Sequence, residues 1–365
     1  MKRRTFSHLA TLYVGVAAIV CSPSGTRAAG PPEISPQAAN LIRRLDVGIE
    51  AGRIVALSAP TNRLHQPGSD EKESLRIQAE DGETLMRYEL LDEEDHVLVD
   101  IGAGSSVTID RDPGRGTAFA PVHFEQFAAA LASGYQPTPP AADDQRSGVE
   151  LVIGRTDGKL AVSAPGIWSL LVVEPELCRE HLNPLLEVLH TGWRLEQQAA
   201  SVEEQLVLMV QAGDLEVTAY WDDLVTRLAD ESFAVRRRAD RLLRQAGVDV
   251  LPYLHAVDVS RLDAEQRMRI REVTRSLSED VEADTPRLAA WQLVDDVSVW
   301  LALMERGSVA ARAAAHQRLE TLLGRKIDFD AAAEADERRE IVDVLRAECD
   351  QMGMITVRRV STSAE

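Results

Sequence analysis

Two rhythms divide the chain. From about Arg53 to Ala164, short apolar runs alternate with polar positions and are separated by turn residues, the pattern of half-buried strands. Arg53–Ser58 alternates in this way. Leu75–Ala79 and Leu85–Leu90 flank Asp81-Gly82, Val97–Ile101 and Ser106–Asp110 flank Gly102-Ala103-Gly104, and Val149–Ile153 and Lys159–Val162 flank Arg155-Thr156-Asp157-Gly158. Asp-Gly is a strong hairpin signal because Gly accepts positive φ. Three successive hairpins predict a mostly antiparallel sheet. One short helix is expected over Pro121–Ser133, and Pro137–Ser147 reads as a polar, Pro-rich loop.

At Ser163 the period changes. Ser163 with Pro165 reads as a helix start, since Ser caps and Pro tolerates the first turn. From there the rhythm is helical almost to the end, through Ile167–Val173, Glu176–His190 and Val202–Ala212. Then a pattern repeats. Arg236, Ala239 and Leu243 recur as Arg312, Ala315 and Leu319, an offset of 76 residues, and each copy is followed by Gly (Gly247, Gly324). A second set, Arg267, Ile270 and Val273, matches Arg338, Ile341 and Val344 at an offset of 71. These spaced pairs of amphipathic helices, from roughly Tyr220 to Asp350, resemble HEAT-like repeats. A 76-residue unit would hold two hairpins of about 38 residues, near the usual HEAT length. The resemblance implies an array that presents a surface to a protein partner.

The expected fold class is therefore α+β. Residues 30–41 are a Pro-rich lead-in, 42–165 a β-rich, mostly antiparallel domain, 166–218 connecting helices, 219–350 the HEAT-like array and 351–365 a tail. Residues 1–29 read as a signal peptide. Lys2, Arg3 and Arg4 precede an apolar run from Leu9 to Cys21, and small residues follow around Ala28 and Ala29. The run is too short to be a comfortable membrane span. Arg3-Arg4-Thr5-Phe6 loosely resembles the twin-arginine signal, but Lys2 in front of it favours ordinary secretion. Val20 is a poor residue to precede a lipidated Cys21. Export signal, β-rich front and Arg-rich helices together also resemble secreted HEAT-repeat proteins of planctomycete bacteria, a resemblance that brings no mechanism with it.

Composition sharpens this picture. At 365 residues the chain suits two domains, and its 4% aromatic content makes the cores aliphatic. Losing four positive charges with the signal takes the net charge from −19 to −23. That balance disfavours nucleic acid and anionic membrane surfaces as partners. Only Cys178 and Cys349 would remain, which is neither a disulfide framework nor a metal motif.

Candidate chemistry is sparse. Gly154-Arg-Thr-Asp-Gly158-Lys159-Leu160 has one residue too few for a phosphate loop and leads into a strand, so it reads as a hairpin. Asp110-x-Asp112-x-Gly114 lacks the further ligands of a calcium loop and reads as a tight turn. Asp92-Glu93-Glu94-Asp95-His96 reads as an exposed hairpin tip. His181 and His190 are nine apart, the wrong spacing for a shared metal on a helix, and no HExxH or GxSxG occurs. The five tryptophans (Trp168, Trp193, Trp221, Trp291, Trp300) read as fillers of inter-helix seams. No catalytic residue, metal or cofactor is expected.

Charge supplies the one local signal. Residues 227–275 hold 11 Arg against eight acids, whereas 30–226 carry a net −19. On the helix Phe233–Ala246, Arg237, Arg241 and Arg244 lie opposite the stripe Val235, Ala239, Leu242, Leu243 and Ala246. Arg271 and Arg275 lie opposite Ile270, Val273 and Leu277 on the next. These five arginines are the candidate partner-binding residues, since the guanidinium fork matches carboxylates bidentately. Their partner is either the acidic β domain or an acidic external protein, and the plain alternative is a solvated face. The function expected is an exported, non-catalytic interaction or scaffold module. The alternative is an envelope hydrolase or carbohydrate-binding protein whose site lies in the β-rich domain, with the helices as accessory.

Overall fold

The computed structural model describes residues 32, 35–56, 64–67, 73–80, 83–91, 95–102, 105–113, 120–127, 148–155, 158–190, 192–213, 217–257, 262–278 and 285–363. The expected signal peptide, the Pro137–Ser147 loop and the Asp81-Gly82 turn lie outside them. The fold is α+β, an antiparallel sheet followed by a helical region.

Helix α1 (Pro36–Arg43) falls partly within the Pro-rich lead-in and starts where the Ser35 hydroxyl accepts the Ala38 N–H. The hairpin β1 (Val47–Glu50) and β2 (Arg53–Ala56) follows. The main sheet then runs as a meander: β3 (Leu64–Pro67), β4 (Glu73–Glu80), β5 (Glu83–Leu91), β6 (Asp95–Ile101), β7 (Val107–Pro113), β8 (Val122–Gln126), β9 (Val149–Arg155) and β10 (Gly158–Ala164). Each strand pairs antiparallel with the next. Glu80 faces Glu83 and Arg155 faces Gly158, so the β4–β5 and β9–β10 hairpins sit where the turn residues place them.

Alternation decides the faces. Val97, Val99 and Ile101, Val107 and Ile109, Leu160 and Val162 are buried, while His96, Leu98, Asp100, Thr108 and Asp110 are only partly so. Several polar side chains on the buried face have partners. Gln126, fully buried, accepts the Ile54 N–H at 2.7 Å and donates to the Ile54 and Ser105 carbonyls, locking β2 to the sheet. Glu73 accepts both the Tyr88 hydroxyl and the Ser35 N–H, which ties the start of α1 to β4 and β5. Arg111 meets Asp95 with two nitrogens, at 3.0 and 2.6 Å.

Three local expectations need correction. The short helix over Pro121–Ser133 is strand β8 as far as Gln126. Val122, Phe124 and Gln126 point inward and His123 and Glu125 outward, a period of two that the following alanines obscure. Ser163 does not start a helix: β10 continues to Ala164, because Ser163 lies between Glu150 and Arg358 in the sheet, and helix α2 (Ile167–Val173) begins after Gly166. Asp110 and Asp112 belong to β7, and Asp95 and His96 to β6, so neither acidic motif is simply a loop.

Helices fill the rest. Glu176–His190 is not one helix but short α3 (Pro175–Leu177) and α4 (Asn183–Leu186) around a π turn, Cys178–Leu182. Pro184 has no N–H to give a regular helix, and the chain widens just before it. Then come α5 (Leu195–Ala212), α6 (Val217–Arg227), α7 (Phe233–Gln245), α8 (Leu251–Ala256), α9 (Ala264–Ser278), α10 (Pro286–Leu293), α11 (Val297–Arg306), α12 (Val309–Leu323) and α13 (Ala335–Gln351). Helix α5 packs on α10 and α12, and α2 on α11 and β10, so the connecting helices sit inside the helical layer. One continuous apolar cluster runs from the sheet into these helices. Trp168, Trp221, Trp291 and Trp300 are buried in it, and Trp193 is packed at its edge.

The last segment returns to the sheet. Residues 358–363, within the expected tail, form β11 (Arg358–Ser363), which pairs with β10 at the sheet edge. Gly158 makes room for it: a Cβ there would stand 1.7 Å from the Thr362 carbonyl oxygen. A buried polar hub anchors the return. Asp296 caps α11 through the Ser298 and Val299 N–H groups, and accepts the Ser169 and Thr356 hydroxyls. The Ser298 hydroxyl in turn accepts the N–H groups of Thr356 and Val357. No helix among the described residues is long and apolar enough to cross a membrane.

Candidate interaction surface

The repeated arginines turn out to be parts of the scaffold. Arg236 donates to the carbonyls of Asp230 and Glu231 at 2.7 and 3.0 Å, and Arg312 to that of Gly307 at 2.6 Å. Arg267 donates to Leu262 at 2.7 Å, and Arg338 to Ala333. Each guanidinium folds back on carbonyls five or six residues earlier and clamps the turn entering its own helix. Ala239 and Ala315, and Leu243 and Leu319, are buried at equivalent places. Gly247 and Gly324 both take positive φ, 68° and 64°.

The second match holds at its arginine and in part at Ile341, which is half-buried against the core where Ile270 is buried, but not at its valine. Val273 is buried, but Val344 is 56% exposed; α13 instead buries Val342, Leu345 and Cys349, a stripe turned by one residue. The change of offset from 76 to 71 also has a structural counterpart. In the first copy α8 stands between the two helices, whereas residues 326–334 are irregular in the second.

Helices α7 and α9 lie side by side and run the same way. Arg236 reaches Glu265 near their starts at 3.7 Å, and Arg244 reaches Ser276 near their ends. The α9 start is held by a reciprocal cap: Asp263 accepts the Gln266 N–H and Gln266 accepts the Asp263 N–H. Gln266 also donates to the Val225 carbonyl of α6 at 2.9 Å. Behind α6 and α8, Trp221 packs against Trp291 and Tyr253 with ring centres 5.0 and 5.5 Å away. Burial, and then the bond to Asp222, pushes the Tyr253 phenol well above its usual range, so it stays a neutral donor.

On this platform the five candidate arginines separate. Arg237 and Arg241 on α7, and Arg271 and Arg275 on α9, are exposed and have no ion pair or hydrogen bond among the described residues. Arg238 is in the same state. Arg244 differs: it pairs with Asp240 at 3.1 Å and bonds Ser276, so it is a helix–helix contact. Arg267, Met268, Arg271, Glu272, Arg275 and Ala264 line an open depression of about 690 Å³ along α9. Phe233 and Met268 are 60% and 46% exposed beside the arginines. Met268 was missed in the sequence because a methionine in a helix pattern reads as core.

None of the four unpartnered arginines reaches an acid of residues 42–165, so the acidic β domain is not their internal partner among the described residues. The second copy lacks them. Residues 76 beyond Arg237, Arg241 and Arg244 are Ala313, Gln317 and Glu320. Glu320 accepts Lys326 and the Ile327 N–H, contacts that hold its carboxyl below the usual range. Residues 71 beyond Arg271 and Arg275 are the buried Val342 and Arg346, which pairs with Glu305 and Asp343. The repeated arginines are therefore demanded by the fold, and the outward ones are not.

In the sheet, Asp110 and His123 pair at 2.6 Å with Glu125 3.7 Å from the other ring nitrogen. Their cross-strand neighbours are Leu98 and Val152, half-buried on the outward face of the sheet. Among the described residues no group of three or more His, Cys, Asp or Glu could hold a metal ion. Both Cys178 and Cys349 are buried, and burial raises both thiols, which leaves them unreactive. No protein-family model, curated protein or solved structure matches this chain.

Proposed function

We propose that the protein is an exported, non-catalytic interaction module, with a HEAT-like helical array whose α7–α9 face takes an acidic protein partner. One observation carries this reading: Arg237, Arg241, Arg271 and Arg275 stand exposed without partners at places where the second copy has no free cation. Exposed ion pairs contribute only about 0–1 kcal/mol to stability, so folding does not call for these four. Bidentate contacts to carboxylates give such a row a use.

The test is charge reversal. R237E/R241E/R271E/R275E should lose any partner that the wild type cross-links in its own envelope fraction, with the far-ultraviolet circular dichroism unchanged. Unaltered capture by that variant would reduce the arginines to a solvated face. Export rests on the basic start and apolar run of residues 1–29. N-terminal sequencing of the native protein should begin near Ala28 or Ala29, and a cytosolic product starting at Met1 would rule it out.

A further inference from the structure

We infer that the occupant of the α7–α9 face is an amphipathic helix with acidic flanks, docked along the seam between the two helices. This rests on the interaction reading above and adds the chemistry and shape of the partner. Arg237 and Arg241 are four residues apart, as are Arg271 and Arg275, so each pair is separated by about 6 Å along its axis. Parallel neighbouring helices lie about 8–10 Å apart. Arg237 and Arg241 thus form one exposed row on α7, and Arg271 and Arg275 another on α9, where they line the open depression. The seam itself is not ionic throughout. Phe233, with Arg236 over its ring, and Met268 are 60% and 46% exposed nearer the starts of α7 and α9. Glu272, exposed, stands between Arg271 and Arg275, and Arg244 near the end of α7 is already bonded to Asp240 and Ser276.

A third helix laid along this face matches its two arginine rows and its exposed apolar side chains. Its apolar stripe covers Phe233 and Met268, and carboxylates at i and i+4 on each flank meet the arginine rows. A polyanion such as a sulfated sugar or a nucleic acid fits less well. It leaves the two apolar side chains in water, and its dense charge meets the field of a chain at −19. A helix with only four carboxylates meets less of that repulsion because it carries less charge. A second copy of this chain is the remaining candidate. Among the described residues, several acids on its exposed sheet face are paired already, as Asp100 is with Arg87, Asp110 with His123 and Glu89 with His96.

The experiment uses the full chain and a fluorescent, side-chain-stapled peptide of about 18 residues, long enough for a stable helix. It carries Glu at i and i+4 on both flanks of a Leu stripe. A second peptide has the same composition with Glu and Leu shuffled off their faces, and a heparin hexasaccharide serves as the polyanion. Fluorescence anisotropy should show the ordered peptide bound at least about tenfold more tightly than the shuffled one. That affinity should fall with added salt, and fall at least about tenfold in both R237E/R241E and R271E/R275E. M268S should weaken the ordered peptide without shifting the melting temperature, a readout that charge alone would not move. Equal binding of the two peptides, tighter binding of heparin, or a salt-insensitive dimer of the protein that excludes the peptide would overturn the inference. If the ordered peptide fails while charge reversal still abolishes the cross-linked envelope complex, the helix is wrong and the interaction reading stands. If that complex survives charge reversal, the reading itself falls.

Discussion

Leu243→Ala should lower the unfolding free energy by about 2–5 kcal/mol, and Leu319→Ala by a similar amount. Both side chains are fully buried at equivalent places in the duplicated pattern, one on α7 against α6, the other on α12 among α11 and α5. Truncation removes apolar contact and leaves a hole that helices pinned by their neighbours cannot fully close. Arg312→Ala should cost about 1–3 kcal/mol, since it leaves the Gly307 and Ala331 carbonyls without their donor. Arg237→Ala should stay within about 0.5 kcal/mol of wild type, because it is exposed and has no ion pair or hydrogen bond among the described residues. Urea denaturation followed by circular dichroism measures all four. A loss at Arg237 as large as at Leu243 would mean that the outward arginines are structural after all.

Asp296→Ala should be of comparable size, about 2–5 kcal/mol, and should have a second, local consequence. The carboxylate is 7% exposed and serves four donors: two backbone N–H groups of α11 and the hydroxyls of Ser169 and Thr356. Losing it removes a helix cap and strands buried donors. It also loosens Thr356, the residue from which the chain turns toward β11. Hydrogen exchange should therefore show the β11 amides that bond β10 losing protection before those of β9. Asp296→Asn keeps an acceptor for the cap and should lose less. If β11 keeps its protection while stability falls, the hub supports α11 alone and the returning strand is held by its pairing with β10 and by the Arg359–Glu174 bridge.

The hub and the returning strand mark where sequence reasoning ends. Arg358-Arg-Val-Ser-Thr-Ser363 buries none of its side chains, so it carries no alternation to read. It is a strand because β10 offers it an open row of backbone groups. Asp296 looked like one acid among 59, and its importance comes from Ser169 and Thr356, 127 and 60 residues away. The mistaken helix at Pro121–Ser133 has a related cause. Five residues of alternation are too short to outweigh a neighbouring helix-favouring run, until β7 and β9 on either side decide the matter.

What the sequence determined by itself is whatever depends on near neighbours. The hairpins on either side of Asp81-Gly82 and Thr156-Asp157, the helical rhythm from Ile167 onward, and the buried Ala239–Leu243 and Ala315–Leu319 stripes follow from local periodicity and turn chemistry. The concentration of arginine in 227–275 is equally a property of the sequence. Their division of labour is not. Arg236 and Arg237 are adjacent and chemically identical, yet one clamps the carbonyls of Asp230 and Glu231 and the other stands free. The 100° step between helix positions already separates their faces, but only the folded turn before α7, by leaving the Asp230 and Glu231 carbonyls open to Arg236, decided which arginine is held by the scaffold.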